Sequence, residues 1–260
     1  MPAALIISHG QPSDPAPAEA EIAALAARVQ ALMPDWHVAS ATLATEGALA
    51  EAVARAVQVG AASGEAAGGE AAAGEAAGGF AYPLFMADGW FTRDHLPKRL
   101  AEAGGGAWQV LDPFGIDDAV QRLTVTLAHE AAAATGVAPA DAELLLAAHG
   151  SFRSPAPAKV ANAMAARIAA SGFGRVEAAF IDQSPRIAEA AAGFSEGALV
   201  LPFFAAKGGH VVDDLPEALH EAGFRGRLLE PVGLDPRVPS LIADALRRAA
   251  AQATLSISAT

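Results

Sequence analysis

Residues 202–216 read PFFAAKGGHVVDDLP, and residues 83–97 read PLFMADGWFTRDHLP. Both begin with proline, carry a phenylalanine two positions on and a glycine after it, and close on Asp-x-Leu-Pro. Working outward, LLLAAHG at 144–150 answers ALIISHG at 4–10, and LEPVGLDP at 229–236 answers LDPFGIDD at 111–118. Three matches in the same order mark an internal duplication. The spacing is unequal: His9 and His149 lie 140 residues apart, Pro83 and Pro202 only 119. The first half therefore carries an insertion. Residues 61–79, AASGEAAGGEAAAGEAAGG, supply it. This tract has no hydrophobic period and its glycines oppose helix, so it reads as a mobile surface loop between a helix and a strand.

Each half alternates strand and helix. Residues 4–7 are an apolar run ending at a polar tip, as in a buried parallel strand. Ile22, Leu25, Val29 and Leu32 recur at helical spacing. Further strands are expected at 38–43, 80–85 and 108–111, with helices through Val53 and through Leu123. The second half repeats the order: strands at 144–148, 176–181, 198–203 and 227–229, with helices through Met164, from Pro185, over 215–222 and through Ile242. Strict alternation predicts an α/β fold of two similar doubly wound parallel-sheet domains. The boundary is expected near 136–142, giving domains at 1–138 and 139–260.

Composition removes several function classes. The chain has 260 residues, a formal charge of −12 and no cysteine. Disulfides, thiolate metal sites and cysteine nucleophiles are excluded, and a reducing cytoplasm is the simplest setting. The negative charge opposes nucleic-acid binding. It also means that an acidic ligand needs a local cluster of Arg or Lys. No apolar run is long enough to span a bilayer, and the N-terminus lacks the basic start of a signal peptide. Neither a G-x-S-x-G elbow nor a P-loop is present, which argues against a hydrolase using His9 or His149 as base.

Ligands of open parallel sheets collect beyond the carboxyl ends of the strands. His9 and His149 each follow a first strand and precede a glycine. Asp182 follows the strand at 176–181, and His210 follows the strand ending at Phe203, across Lys207-Gly208-Gly209. His149, Asp182 and His210 thus belong to one sheet edge. Two imidazoles and a carboxylate suit a borderline divalent metal such as Co²⁺, Fe²⁺ or Ni²⁺. A lone histidine at a strand end is ordinarily a hydrogen-bonded polar residue, and Gly208-Gly209 reads equally as a tight turn with positive φ. His129 and His220 read as solvated helix residues, and His37 has no partner in the repeat. His95 stands where the second half has Asp214. Asp213 and Asp214 read as helix-start residues before Leu215.

The second half resembles the class II tetrapyrrole chelatases of the CbiX/CbiK/SirB type. The resemblance rests on LLLAAHGS at 144–151, VEAAFID at 176–182 and the segment 202–216. There Pro202, Phe204, Gly208, His210, Asp214 and Pro216 fit a P-x-F-x-x-x-G-x-H-x-x-x-D-x-P pattern. It covers nearly the whole second half and, more weakly, the first. It implies a chelatase fold with a cleft between the domains, and ATP-independent insertion of Co²⁺ or Fe²⁺ into sirohydrochlorin on the route to sirohaem or cobalamin. No organic cofactor is implied. The family's two histidine ligands fall on His149 and His210. Its glutamate falls on Asp182, an acid shorter by one methylene, or ~1.5 Å. Phe91 stands in the place of His210 and Ala44 in that of Asp182, so the resemblance implies that the first half has lost metal binding. His9, Asp88, Trp90 and Phe91 would line the substrate site from that half. Phe152, Arg153, Lys207, Gly208 and Gly209 would do so from the other, with aromatic rings stacking and cations, Arg93 among them, pairing with ring carboxylates. Two halves in one chain make a monomer sufficient. The second reading is a tetrapyrrole carrier or metal chaperone without catalysis, since fold does not fix function. Turnover separates the two.

Overall fold

A computed structural model describes residues 1–62 and 78–258. Residues 63–77 of the expected loop at 61–79 lie outside the described residues. The first sheet holds β1 (Ala3–Ser8), β2 (His37–Thr42), β3 (Phe80–Pro83) and β4 (Gln109–Val110). The second holds β5 (Glu143–Ala148), β6 (Arg175–Phe180), β7 (Leu199–Pro202) and β8 (Arg227–Leu228). Their orders are β2-β1-β3-β4 and β6-β5-β7-β8, all pairs parallel. Leu5, Ile6 and Ile7 of β1 and Leu144, Leu145 and Leu146 of β5 are wholly buried, as the continuous apolar runs require of a sheet covered on both faces.

The two sheets share a register. Ala3 pairs with His37 and Glu143 with Arg175; Ala4 pairs with Phe80 and Leu144 with Leu199. Beyond the strand ends the backbone still agrees. Leu84 N–H donates to the Ile7 carbonyl at 2.7 Å, and Phe203 N–H donates to that of Ala147 at 2.7 Å.

The helices are α1 (Pro15–Leu32), α2 (Ala48–Ala62), α3 (Leu96–Glu102), α4 (Asp118–Thr135), α5 (Ala156–Ala170), α6 (Ile187–Ala191), α7 (Leu215–Glu221) and α8 (Val238–Ser258). In α1, Ile22, Leu25 and Val29 are buried as their spacing demands, but Leu32 is 44% exposed at the helix end. Each repeat also has a single π-helical turn before its third helix, over Phe91–His95 and His210–Asp214. The sequence reading did not foresee these turns.

The chain forms two compact units, and they depart from a cut at 138/139. One comprises Met1–Phe85, Trp90–Pro113 and Pro236–Thr260; the other comprises Met86–Gly89 and Phe114–Asp235. Helix α4, expected to close the first half, belongs to the second unit, and α8 belongs to the first. Named contacts carry this exchange. Arg167 of α5 donates to Asp118 at 2.8 Å and Gln121 at 2.9 Å, both on α4. Arg247 of α8 donates to the Leu32 carbonyl of α1 at 2.6 Å.

Gly115 and Gly233 occupy the same place in the two repeats, and each lets one strand-end loop pass against another. A Cβ at Gly233 would stand 2.0 Å from the Ala205 carbonyl oxygen, and one at Gly115 2.1 Å from that of Met86. Backbone cannot yield as a side chain can, so Gly233→Ala is expected to destabilise the fold by about 1–3 kcal/mol. Gly197, where a Cβ meets nothing within 4 Å, is the control: Gly197→Ala should change stability by no more than about 0.5 kcal/mol. Urea denaturation of both variants checks this.

His37, at the start of β2, has its Nε2 enclosed with no hydrogen-bond partner among the described residues. Burial, and then the nearby Arg55, hold its pKa below the ordinary histidine value. The unfolded chain therefore takes up this proton first, so the stability present above about pH 6.5 falls as pH drops towards the lower folded value. His37→Phe should lose less stability than wild type between pH 7.5 and 5.5 in urea titrations; equal losses would remove His37 as a contributor.

Candidate metal centre

His149 leaves the tip of β5 on a fixed track. Backbone hydrogen bonds run from Ile181 N–H to the Ala148 carbonyl (3.0 Å) and from Asp182 N–H to that of His149 (2.9 Å). Gly150 then turns the chain at φ 74°, a conformation L side chains avoid. A Cβ there would also meet Gln183 Cγ at 2.7 Å. Gln183 is held in turn, its Oε1 accepting from Ser151 N–H at 2.8 Å.

His210 opens the π-helical turn after β7. Neither Gly208 nor Gly209 adopts positive φ, contrary to a tight-turn reading of the pair. Gly209 has helical angles, φ −51° and ψ −39°, and a Cβ at Gly208 would meet nothing within 4 Å. Gly208 leaves open space two residues before His210, a Cβ at Gly209 would make an ordinary contact with Asp213 Oδ2 at 3.7 Å, and neither supplies a special backbone conformation.

The two imidazoles meet edge to face, with ring centroids 4.4 Å apart and planes at 87°. Their Nε2 atoms are 3.0 Å apart. His149 Nδ1–H donates to the Gly150 carbonyl at 2.9 Å. A carbonyl only accepts, so neutral His149 presents a lone pair at Nε2. Two nitrogens 3.0 Å apart, each about 2.1 Å from one divalent ion, subtend an angle of about 90° at it. Adjacent ligands of a six-coordinate ion stand at such an angle.

Asp182 is brought to this pair, but its Oδ2 lies 3.5 Å from Nδ1 of His149, the nitrogen not directed at His210. The expected third ligand therefore stands behind one imidazole. Among the described residues no group of three or more His, Asp or Glu side chains assembles to hold a metal. Asp214, read from sequence as a helix-start residue, instead places its Oδ2 2.5 Å from Nδ1 of His210. The four side chains are 36–47% exposed, so the centre sits at the sheet edge within reach of solvent.

The other candidates separate by unit. In the second, Phe152 is 74% exposed, and the guanidinium of Arg186, a residue the sequence reading passed over, lies 5.5 Å above its ring. Arg153 and Lys207 are exposed, and Asp88 is half-buried. In the first unit, an aromatic cluster stands where the second has its imidazole pair. Phe91 meets His9 edge-on at 5.4 Å, and lies 5.0 Å from Phe85 and 4.9 Å from His95. Trp90, 68% exposed, stacks on His95 at 5.1 Å. Although His9 keeps part of its surface in solvent, its enclosed side and then His95 lower its pKa. Ala44 N–H donates to the His9 carbonyl as Asp182 N–H does to that of His149, so the backbone is kept where the chemistry is not.

Comparison with known proteins defines the class. SirB from Bacillus subtilis with Fe³⁺ matches over 98% of both chains at 16% identity, with a TM-score of 0.73. The sirohydrochlorin chelatase SirB from Bacillus subtilis subspecies spizizenii, in complex with cobalt, matches over 95% of this chain and 94% of its own at 17% identity, with a TM-score of 0.64. The fold is that of the chelatases. The family described as CbiX matches residues 143–249. A solved CbiX, described as the terminal enzyme for biosynthesis of sirohaem in denitrifying bacteria, is 44% identical over 95% of this chain and 99% of its own, with a TM-score of 0.81. The chain belongs to the CbiX family. No curated protein matches it.

Proposed function

We propose that the chain inserts a divalent metal, Co²⁺ or Fe²⁺, into sirohydrochlorin or a closely related tetrapyrrole, without ATP, in sirohaem or cobalamin biosynthesis. The observation that carries this reading is the pair of Nε2 atoms 3.0 Å apart at the edge of the second sheet. The 44% identity to the sirohaem-pathway CbiX supports the substrate class.

The metal is a substrate. His149 and His210 take it as two nitrogen donors, which leaves its remaining positions for water and then for ring nitrogens. Insertion exchanges one M²⁺ for the two N–H protons of the macrocycle. A half-exposed centre lets those protons pass to solvent, and an imidazole released by the metal is a ready first acceptor. Asp182 is assigned to hold and neutralise the His149 side of the centre rather than to coordinate directly.

The ring's carboxylates meet a chain of net charge −12, so local cations must hold them. Arg153, Lys207 and Arg186 are exposed in the unit that carries the imidazole pair and are assigned this role, with Phe152 stacking on the ring, the open space at Gly208 admitting it and Gly209 keeping the approach free of a side chain. His9, Asp88, Trp90 and Phe91 are assigned to ring binding without metal contact. The proposal places the reaction in the cytoplasm, in keeping with a cysteine-free chain. A monomer is sufficient, because both repeats lie in one chain. Among the described residues no helix is long and apolar enough to cross a membrane.

Anaerobic absorbance assays with sirohydrochlorin and Co²⁺ or Fe²⁺ test the reading. Wild type should turn over many times above the uncatalysed rate, and His210→Ala or His149→Ala should each lower kcat/KM by about 100-fold. Asp182→Asn should cost about 10-fold. A wild type that binds the ring stoichiometrically and never exceeds background would make it a carrier. Full activity in His210→Ala would move the centre elsewhere.

A further inference from the structure

We infer that Asp214 is a positioning residue of the metal centre: its carboxylate accepts the Nδ1–H of His210 and so keeps the lone pair of Nε2 turned towards His149. The inference rests on the assignment of the two histidines as metal donors. Asp214 Oδ2 lies 2.5 Å from His210 Nδ1, across the single π-helical turn that carries both residues. An ionised carboxylate only accepts, so the hydrogen bond fixes which ring nitrogen carries the proton. His149 reaches the same state by another route, through the Gly150 carbonyl. Both rings then offer Nε2 to one ion, which takes the place of the proton shared by the two nitrogens across their 3.0 Å hydrogen bond.

Three observations separate this role from a structural one. Asp214 precedes the first turn of α7, yet its side chain makes no capping hydrogen bond and its backbone is already helical, φ −65° and ψ −41°. Its side chain is 47% exposed, so no core packing depends on it. The third is internal to the chain. The first repeat builds the same π-helical turn and the same Pro-containing helix start with His95 in the place of Asp214, φ −70° and ψ −48°, also without a capping hydrogen bond. The backbone feature therefore forms without the acid. Asp94 and Asp213 stand at matching positions in both repeats, whereas Asp214 is replaced where His210 is replaced, by His95 and Phe91. The carboxylate goes with the imidazole, not with the turn.

Asp214→Asn separates the two roles, because the amide fills the same space but can present N–H to Nδ1 and leave the proton on Nε2. On metal-free, ¹⁵N-labelled protein, imidazole NMR should show Nδ1 of His210 protonated in wild type and bare in Asp214→Asn, where the ring proton sits on Nε2 and is donated to His149. Titration with Co²⁺ alone, followed by its visible absorbance, should show affinity about 10–100-fold weaker in Asp214→Asn. Asp213→Asn should match wild type in both measurements. Should Asp214→Asn fail to fold, Asp214→Ala is expected to give the same loss of affinity. Asp214→Asn that keeps the Nδ1–H tautomer and binds Co²⁺ as wild type does would overturn the inference. A wild type that binds no Co²⁺ would instead overturn the metal-centre reading, while the tautomer readout would still decide the placement of Asp214.

Discussion

Two imidazole nitrogens are held 3.0 Å apart on residues 61 positions apart in the chain. Flexible side chains on mobile loops do not keep such a distance, because each added rotamer spreads the ensemble. The distance is set by backbone. The tip of β5 is hydrogen-bonded to both neighbours: Ile181 and Asp182 follow β6, and Phe203 follows β7. His149 leaves that tip at once, turned by Gly150, and His210 follows β7 by way of a seven-residue passage that ends in a π-helical turn. The buried apolar strands beneath, each large aliphatic contributing about 1.5–3 kcal/mol, fix where the tips lie. The spacing of the imidazole pair is thus a consequence of the sheet register.

The same constraint explains what duplication allows. The first repeat keeps the register, the turn after β1 and the π-helical turn, all of which are backbone features. Such a scaffold tolerates Phe91 in the place of His210 and His95 in that of Asp214, since these positions follow the strands, and Phe91 packs against the edge of the first core. The aromatic cluster of Phe85, Phe91, Trp90 and His95 is then an alternative filling of one framework. Its rings bring apolar contact where the other repeat brings two imidazole nitrogens together.

Much of the fold was legible because parallel strands buried on both faces leave continuous apolar runs, and because each repeat could be read against the other. The strand tips followed, and with them His149, His210 and the neighbourhood of Asp182. What stayed hidden depended on geometry finer than position along the chain. Whether a carboxylate faces Nδ1 or Nε2 of a ring is a matter of about 2 Å, smaller than the rise of one strand residue. Asp182 could therefore be read to the tip of its strand, but not to the ring nitrogen it faces. The spacing of His210 and Asp214 also suits a helix start, and the π-helical turn that aligns them has no signal in hydrophobic period. The exchange of α4 and α8 between units was hidden for a different reason. Their amphipathic patterns state that each needs a sheet, not which of two similar sheets it covers, and contacts such as Arg247 to Leu32 decide it.

The charge of the chain bears on how such a centre loads. A net −12 attracts divalent cations over the surface generally and repels a polycarboxylate ring. The two substrates therefore need opposite local arrangements within one site. Around the second sheet edge, Asp182 and Asp214 sit beside the two imidazoles, while Arg153, Lys207 and Arg186 belong to the loops around them. Carboxylates close to the metal position offset the repulsion between a bare dication and the exposed guanidinium and ammonium groups, and those groups offset the repulsion between the acidic chain and the ring. Neither set alone would admit both partners. On the proposed reading, the two protons released as the metal enters the ring carry charge away to solvent, and the imidazoles are left free for the next ion.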